Sequence, residues 1–159
     1  MFRICASFIA VSLAAVFPLV PVRGPLESVK TIRLEPTVIS NPDKVKVDGA
    51  SALVQDNLRD ALRSANFEIG DSRVRAHIEL NEFTAGSTAE RVLFGTYGLG
   101  RSYLDSRLVI SDGDKQLANV RIHVRGNFSM SGFEGGKTQS RQAENRFQKR
   151  LLQELNKLK

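Results

Sequence analysis

From Arg73 the chain alternates strictly, with Val74, Ala76, Ile78 and Leu80 on one side and Arg73, Arg75, His77, Glu79 and Asn81 on the other. A period of two over that length marks a strand with one buried face. The same period returns over residues 103–110, where Leu104, Ser106, Leu108 and Ile110 share a face. It returns again over 117–128, where Val120, Ile122 and Val124 do. Earlier, the run 29–38 sets Ile32 and Leu34 against Thr31, Arg33 and Glu35, and Pro36 ends its ladder or marks an edge. Residues 67–69 read as a short extended piece, closed by a turn at Gly70-Asp71.

Two stretches change to helical spacing. Val54, Leu58, Ala61, Leu62 and Ala65 form one stripe, with Gln55, Asp56, Arg59, Asp60 and Arg63 on the far side. Asp48 is the expected N-cap of this helix, and Asn66, which tolerates a left-handed backbone, the expected stop. The second stripe is Ala143, Phe147, Leu151, Leu155 and Leu158, in a helix expected from about Thr138. Lys149, Arg150, Lys157 and Lys159 crowd its C-terminal half, as the helix dipole favours.

The hairpin between the last two strands turns at Ser111-Asp112-Gly113-Asp114-Lys115. A two-residue Asp-Gly loop would put the apolar sets on opposite faces. A three-residue loop, Asp112–Asp114, keeps them together and sets Leu108 opposite Ala118, Leu104 opposite Ile122 and Asp105 opposite Arg121. The expected architecture is therefore α+β. One mainly antiparallel sheet runs strand, helix, short strand, three-strand meander, helix, with both helices packed on one face.

Between the second and third long strands lies an unusually long connection. Ser87-Thr88-Ala89-Glu90 matches a capping box, so residues 88–94 are expected to form a helical turn or two. Gly95, Gly98 and Gly100 follow. Val92, Leu93, Phe94, Tyr97 and Leu99 are too apolar for a free loop. They either cover the core or meet a partner or a bilayer, with Arg91 and Arg101 placed for headgroups. Phe94→Asp separates the two: unfolding favours core cover, and release from membranes favours the partner loop.

Composition adds a compartment. Met1-Phe2-Arg3 precedes an uncharged run from Ile4 to Val22, the layout of a secretory signal and just long enough to span a bilayer. Residues 1–24 are thus expected to be a signal peptide or an uncleaved membrane anchor, and 25–159 a single domain. The formal net charge is +6; without Arg3 and Arg23 the remainder carries 6 − 2 = +4. That balance permits attraction to anionic lipid or phosphate without requiring it. The one cysteine, Cys5, lies in the apolar run, so the domain has neither disulfides nor cysteine-bound zinc.

Candidate chemistry is sparse. Gly132-Phe133-Glu134-Gly135-Gly136-Lys137-Thr138 falls one residue short of a phosphate loop, with Ser131 where the first glycine belongs. Nucleotide and nucleic-acid binding are not expected, nor is a cofactor. His77 and His123 lack a third metal ligand, and no nucleophile or carboxylate pair is placed for catalysis. The outward sheet face offers more. Arg75, His77, Arg107, Arg121, His123 and Arg125 would form a basic surface with few acids, mainly Glu79 and Asp105. An envelope protein or an anionic membrane surface is the expected partner; the plain alternative is a solvated sheet face.

The run Ala89–Ser102, an apolar arginine-led stretch with its glycine cluster and closing arginine, together with the hairpin strands through Gly126, resembles a bacterial family known as domain of unknown function 4410. The likeness spans about Val29 to Leu158. It implies a small exported envelope protein, often a lipoprotein, with no enzyme class and no assigned residues. This chain lacks a cysteine at the processing site. The expected function is a non-enzymatic, uncharacterised periplasmic or envelope-associated protein, accessory to transport or assembly. An enzyme acting on an envelope substrate is the alternative.

Overall fold

The computed structural model describes residues 24–84, 102–126 and 136–159. The N-terminal apolar run, the long connection with Arg91, Phe94, Tyr97, Leu99 and Arg101, and the glycine-rich stretch before Gly136 lie outside them. The strands are β1 (Thr31–Leu34), β2 (Val38–Ile39), β3 (Glu68–Ile69), β4 (Val74–Thr84), β5 (Tyr103–Asp112) and β6 (Lys115–Arg125), and the helices α1 (Ala50–Ser64) and α2 (Gly136–Leu158).

The α+β layering is as expected, but the sheet is mixed rather than mainly antiparallel. Its order is β3-β1-β4-β5-β6, with β2 also on β4. β1 pairs in parallel with both β3 and β4, while β4–β5 and β5–β6 are antiparallel. Parallel neighbours need a crossover, and α1 supplies it between β1 and β3. The expected single strand over 29–38 is two pieces on the same edge of β4. Arg33 faces Arg75 but Val38 faces Glu79, so one extra residue is taken up around Pro36. Pro36 offers no N–H to a ladder, which fits a break on an edge.

The helix α1 begins differently from expectation. Gly49 is its N-cap, with φ of 71°, and no side chain caps it. Gly49 already accepts the first helical bond, from Leu53 N at 3.0 Å, so Asp48 lies one residue too early. The far end is as expected: Asn66 takes the left-handed conformation at φ 60°.

One core joins both helices to the inward sheet face. Val54, Leu58, Ala61 and Leu62 of α1 and Phe147, Leu151 and Leu155 of α2 meet Ile32, Ala76, Ile78, Leu80, Phe83, Leu104, Leu108, Ile110 and Ile122. Each fully buried Leu, Ile or Phe contributes about 1.5–3 kcal/mol. Leu26 belongs to this core and is fully buried. Its N–H donates to the Leu158 carbonyl at 2.8 Å, so the entry to the domain is fastened to the end of α2. Lys159 lies over the Phe67 ring at 4.7 Å and closes the same end.

The hairpin register corrects the expectation. Leu104 faces Val124, Leu108 faces Val120, and Asp105 faces His123 rather than Arg121. The loop is two residues, Gly113 and Asp114, with Asp112 opposite Lys115. Gly113 has φ 59°, as a mirror-image hairpin turn demands at its first position. A two-residue loop alone would invert the faces. The register shift between Ile110 and Ser111 sets Leu117 out of the ladder and restores the apolar side. The expected sidedness therefore holds while the pairing moves by two residues.

Candidate functional site

Both helices pack on one side of the sheet, so the outer sides of β4, β5 and β6 form a face that no described helix covers. Strand alternation sends Arg75, His77 and Glu79 outward from β4. Cross-strand pairing then sets Arg107 beside Glu79 and opposite Arg121, with Asp105 opposite His123 and Tyr103 opposite Arg125. The expected group Arg75, Arg107, Arg121, His123 and Arg125 thus lies on one surface.

Its centre is a carboxylate. Asp105 is 8% exposed and accepts from Arg121 twice, Nε to Oδ1 at 2.9 Å and Nη2 to Oδ2 at 3.2 Å. Asn81 Nδ2 reaches Oδ2 at 3.4 Å, and His123 Nδ1 lies 3.5 Å from Oδ1. Burial pushes the Asp105 carboxyl up, but the bonds and charge of Arg121, aided by Asn81 and His123, outweigh it and hold the group below its ordinary value. On the far side of the imidazole, Arg125 Nε donates to His123 Nε2 at 3.2 Å.

The other arginines are also paired. Arg75 Nη1 lies 3.5 Å from Glu35 Oε1, and its Nη2 donates to the Gly113 carbonyl at 2.9 Å. Arg107 lies 3.6 Å from Glu79, which His77 approaches to 4.0 Å. The Tyr103 hydroxyl donates to Glu82, and this bond, with burial, raises the phenol above its usual range. Tyr103 also stands 6.1 Å from the His123 ring, centroid to centroid.

Sequence reasoning missed Glu35, Asn81, Glu82 and Tyr103. Straight alternation from Arg73 would turn Glu82 inward. A register shift between Leu80 and Glu82 makes Asn81 the extra residue, so Glu82 faces Asp105 on the outer surface. The face is therefore a mosaic of ion pairs, richer in acids than the sequence pattern implied. Among the described residues, no three His, Cys, Asp or Glu side chains are grouped to hold a metal ion. No helix among them is long and apolar enough to cross a membrane.

No family model matches the chain, and no curated protein matches its sequence. The resemblance to domain of unknown function 4410 is accordingly not met by a family model. Solved structures do match. PelC from Paraburkholderia phytofirmans, a dodecamer, is 10% identical over 78% of this chain and 87% of its own, with a TM-score of 0.54. The hypothetical protein CT253 from Chlamydia trachomatis is 8% identical over 79% and 93%, with a TM-score of 0.50. The lipoprotein GNA1162 from Neisseria meningitidis is 9% identical over 64% and 88%, with a TM-score of 0.45. These are bacterial proteins, and at such identities the likeness is one of fold.

Proposed function

We propose that the chain is an exported bacterial cell-envelope protein, non-enzymatic, that binds an anionic envelope protein or membrane surface through its open sheet face. Its role would be accessory to envelope transport or assembly. The observation that carries this reading is the division of the sheet: both helices are spent on one face. The other presents Arg107, Arg121, His123 and Arg125 on two adjacent strands, with no helix among the described residues over them.

The uncharged run from Ile4 to Val22 behind Arg3 supports export. The loop carrying Arg91, Phe94, Tyr97, Leu99 and Arg101 joins strands whose ends, Thr84 and Tyr103, pair with each other beside Arg125. We assign that loop as a second contact for the partner. PelC, which shares the fold, forms a dodecamer, and that makes an assembly of several copies one form this protein could take.

Fractionation of cells expressing the full chain tests the reading. Arg107→Glu with Arg125→Glu is expected to release the protein from the envelope fraction while leaving it folded. Unchanged retention of the folded variant would overturn the binding assignment.

A further inference from the structure

The two ends of the sheet differ in length. β3, last on one side, has 2 residues, and β6, last on the other, has 11. A long edge strand offers a row of unpaired N–H and C=O groups to another chain. The register shows which residues of β6 offer them. Tyr103 lies opposite Arg125, and one step further along Gly126 N donates to the Ser102 carbonyl at 2.8 Å. Bonded and unbonded pairs alternate along an antiparallel ladder. Val120, Ile122 and Val124 therefore bond to β5, whereas Asn119, Arg121, His123 and Arg125 turn their N–H and C=O groups away from it. The Arg125 carbonyl accepts from Arg146 Nη1 at 2.7 Å, as an outward direction requires. Among the described residues, no other strand lies against this edge.

Resting on the function proposed above, we propose that the partner is a polypeptide, and that an extended acidic segment of it adds to the free edge of β6 as a further antiparallel strand. Charge selects this occupant. β6 carries Lys115, Arg121 and Arg125 and no carboxylate. The same strand of a second copy would set like charges side by side. An anionic lipid surface would meet the arginines and leave the edge N–H and C=O groups unpaired.

The ladder also dictates the pattern of the segment. The residues whose backbone faces the edge, Asn119, Arg121, His123 and Arg125, are the ones whose side chains are exposed on the open face. In antiparallel addition they form the directly bonded pairs, so the partner residues opposite them lie on that face too. Arg125 donates to an imidazole rather than a carboxylate. Arg121 spends Nε and Nη2 on Asp105, and its side chain is 70% exposed. Acids opposite these two arginines gain charge-assisted bonds. The positions between them turn to the helix side, beside Val120, which is only partly buried at the rim of the core. Apolar residues fit there. The segment that β6 takes is thus one in which acidic and apolar residues alternate, and Arg146 on the Arg125 carbonyl marks where its ladder stops.

The test is fluorescence anisotropy of a labelled, end-blocked synthetic peptide of alternating glutamate and valine, titrated with the detergent-solubilised full chain. Strand addition predicts binding that Arg125→Gln weakens. N-methylation of the glutamates, whose amides face β6, should weaken it by about tenfold or more. N-methylation of the valines, whose amides face away, should leave it unchanged. Equal weakening by the two methylated peptides, or none by the first, overturns strand addition. So does failure of the unmethylated peptide to bind, whether the edge is empty or already held by a second copy. Vesicles of phosphatidylglycerol that bind the chain when the peptide does not give the face to a lipid surface and overturn the strand. The fractionation of Arg107→Glu with Arg125→Glu keeps the two readings apart: envelope release without peptide binding leaves the face assignment standing alone, and unchanged retention with no peptide binding overturns both.

Discussion

Arg121 grips Asp105 diagonally across the β5–β6 pair, although the residue directly opposite Asp105 is His123. The sequence places these two residues opposite each other, and the structure keeps the bond while moving the register. The long guanidinium stem spans the offset, and its planar fork meets both carboxylate oxygens. Removing Arg121 leaves a largely buried carboxylate without its main counter-charge. Arg121→Gln and Asp105→Asn are each expected to lower the urea midpoint. The double exchange should cost less than the sum, because the second removes a group the first has orphaned. Additive losses would show that the pair is not coupled.

Acid stability should report the same carboxylate. Asp105 is held below its ordinary value in the fold, so the unfolded chain binds its proton first as the pH drops. Its contribution is fully present above about pH 4–5 and is lost as the pH falls through the lower folded value. Asp105→Asn is expected to lower stability near neutrality and to flatten this part of the acid limb. Urea midpoints measured from about pH 6 to about pH 2 check it.

Leu26 ties the entry of the domain to its core, with no exposed surface and a backbone bond to Leu158. Leu26→Ala is expected to cost about 2–5 kcal/mol by chemical denaturation, as for other buried leucines. Sequencing the mature N-terminus should find Leu26 retained.

The β5–β6 hairpin depends on Gly113 and on the odd residue, Leu117. Gly113 has φ 59° and its missing Cβ would sit 3.3 Å from the Arg73 guanidinium. Gly113→Ala should destabilise by about 1–2 kcal/mol, the cost of a left-handed L-residue. Deleting Leu117 should be far worse than Leu117→Ala, because the deletion turns Ala118, Ile122 and Val124 to the outer face. Thermal unfolding of the two variants distinguishes them.

The elements themselves were legible because each follows a local period. The stripe through Val54, Leu58 and Leu62, the alternation from Ala76 to Leu80, and the stripe through Phe147, Leu151 and Leu155 all bury as their spacing predicts. What escaped is non-local. Nothing in residues 31–34 says that they insert between β3 and β4 in parallel, since that choice is made by the α1 crossover and the whole core. The two single-residue irregularities, at Asn81 and Leu117, are likewise invisible in composition. The first decides that Glu82 joins the face, and the second fixes which residues oppose Asp105. The arginines of the face, with Asp105 and Glu79 among their partners, could be read from alternation, but the arrival of Glu82 on the same face could not.

The most direct test is arginine-selective labelling of the protein in envelope fractions and free in solution, read residue by residue by mass spectrometry. Binding through the open face predicts that Arg107 and Arg125 are protected in the envelope while Arg59 and Arg63 on α1 label equally in both. Equal labelling of Arg107 and Arg125 in the two samples, or protection confined to the helices, would contradict it.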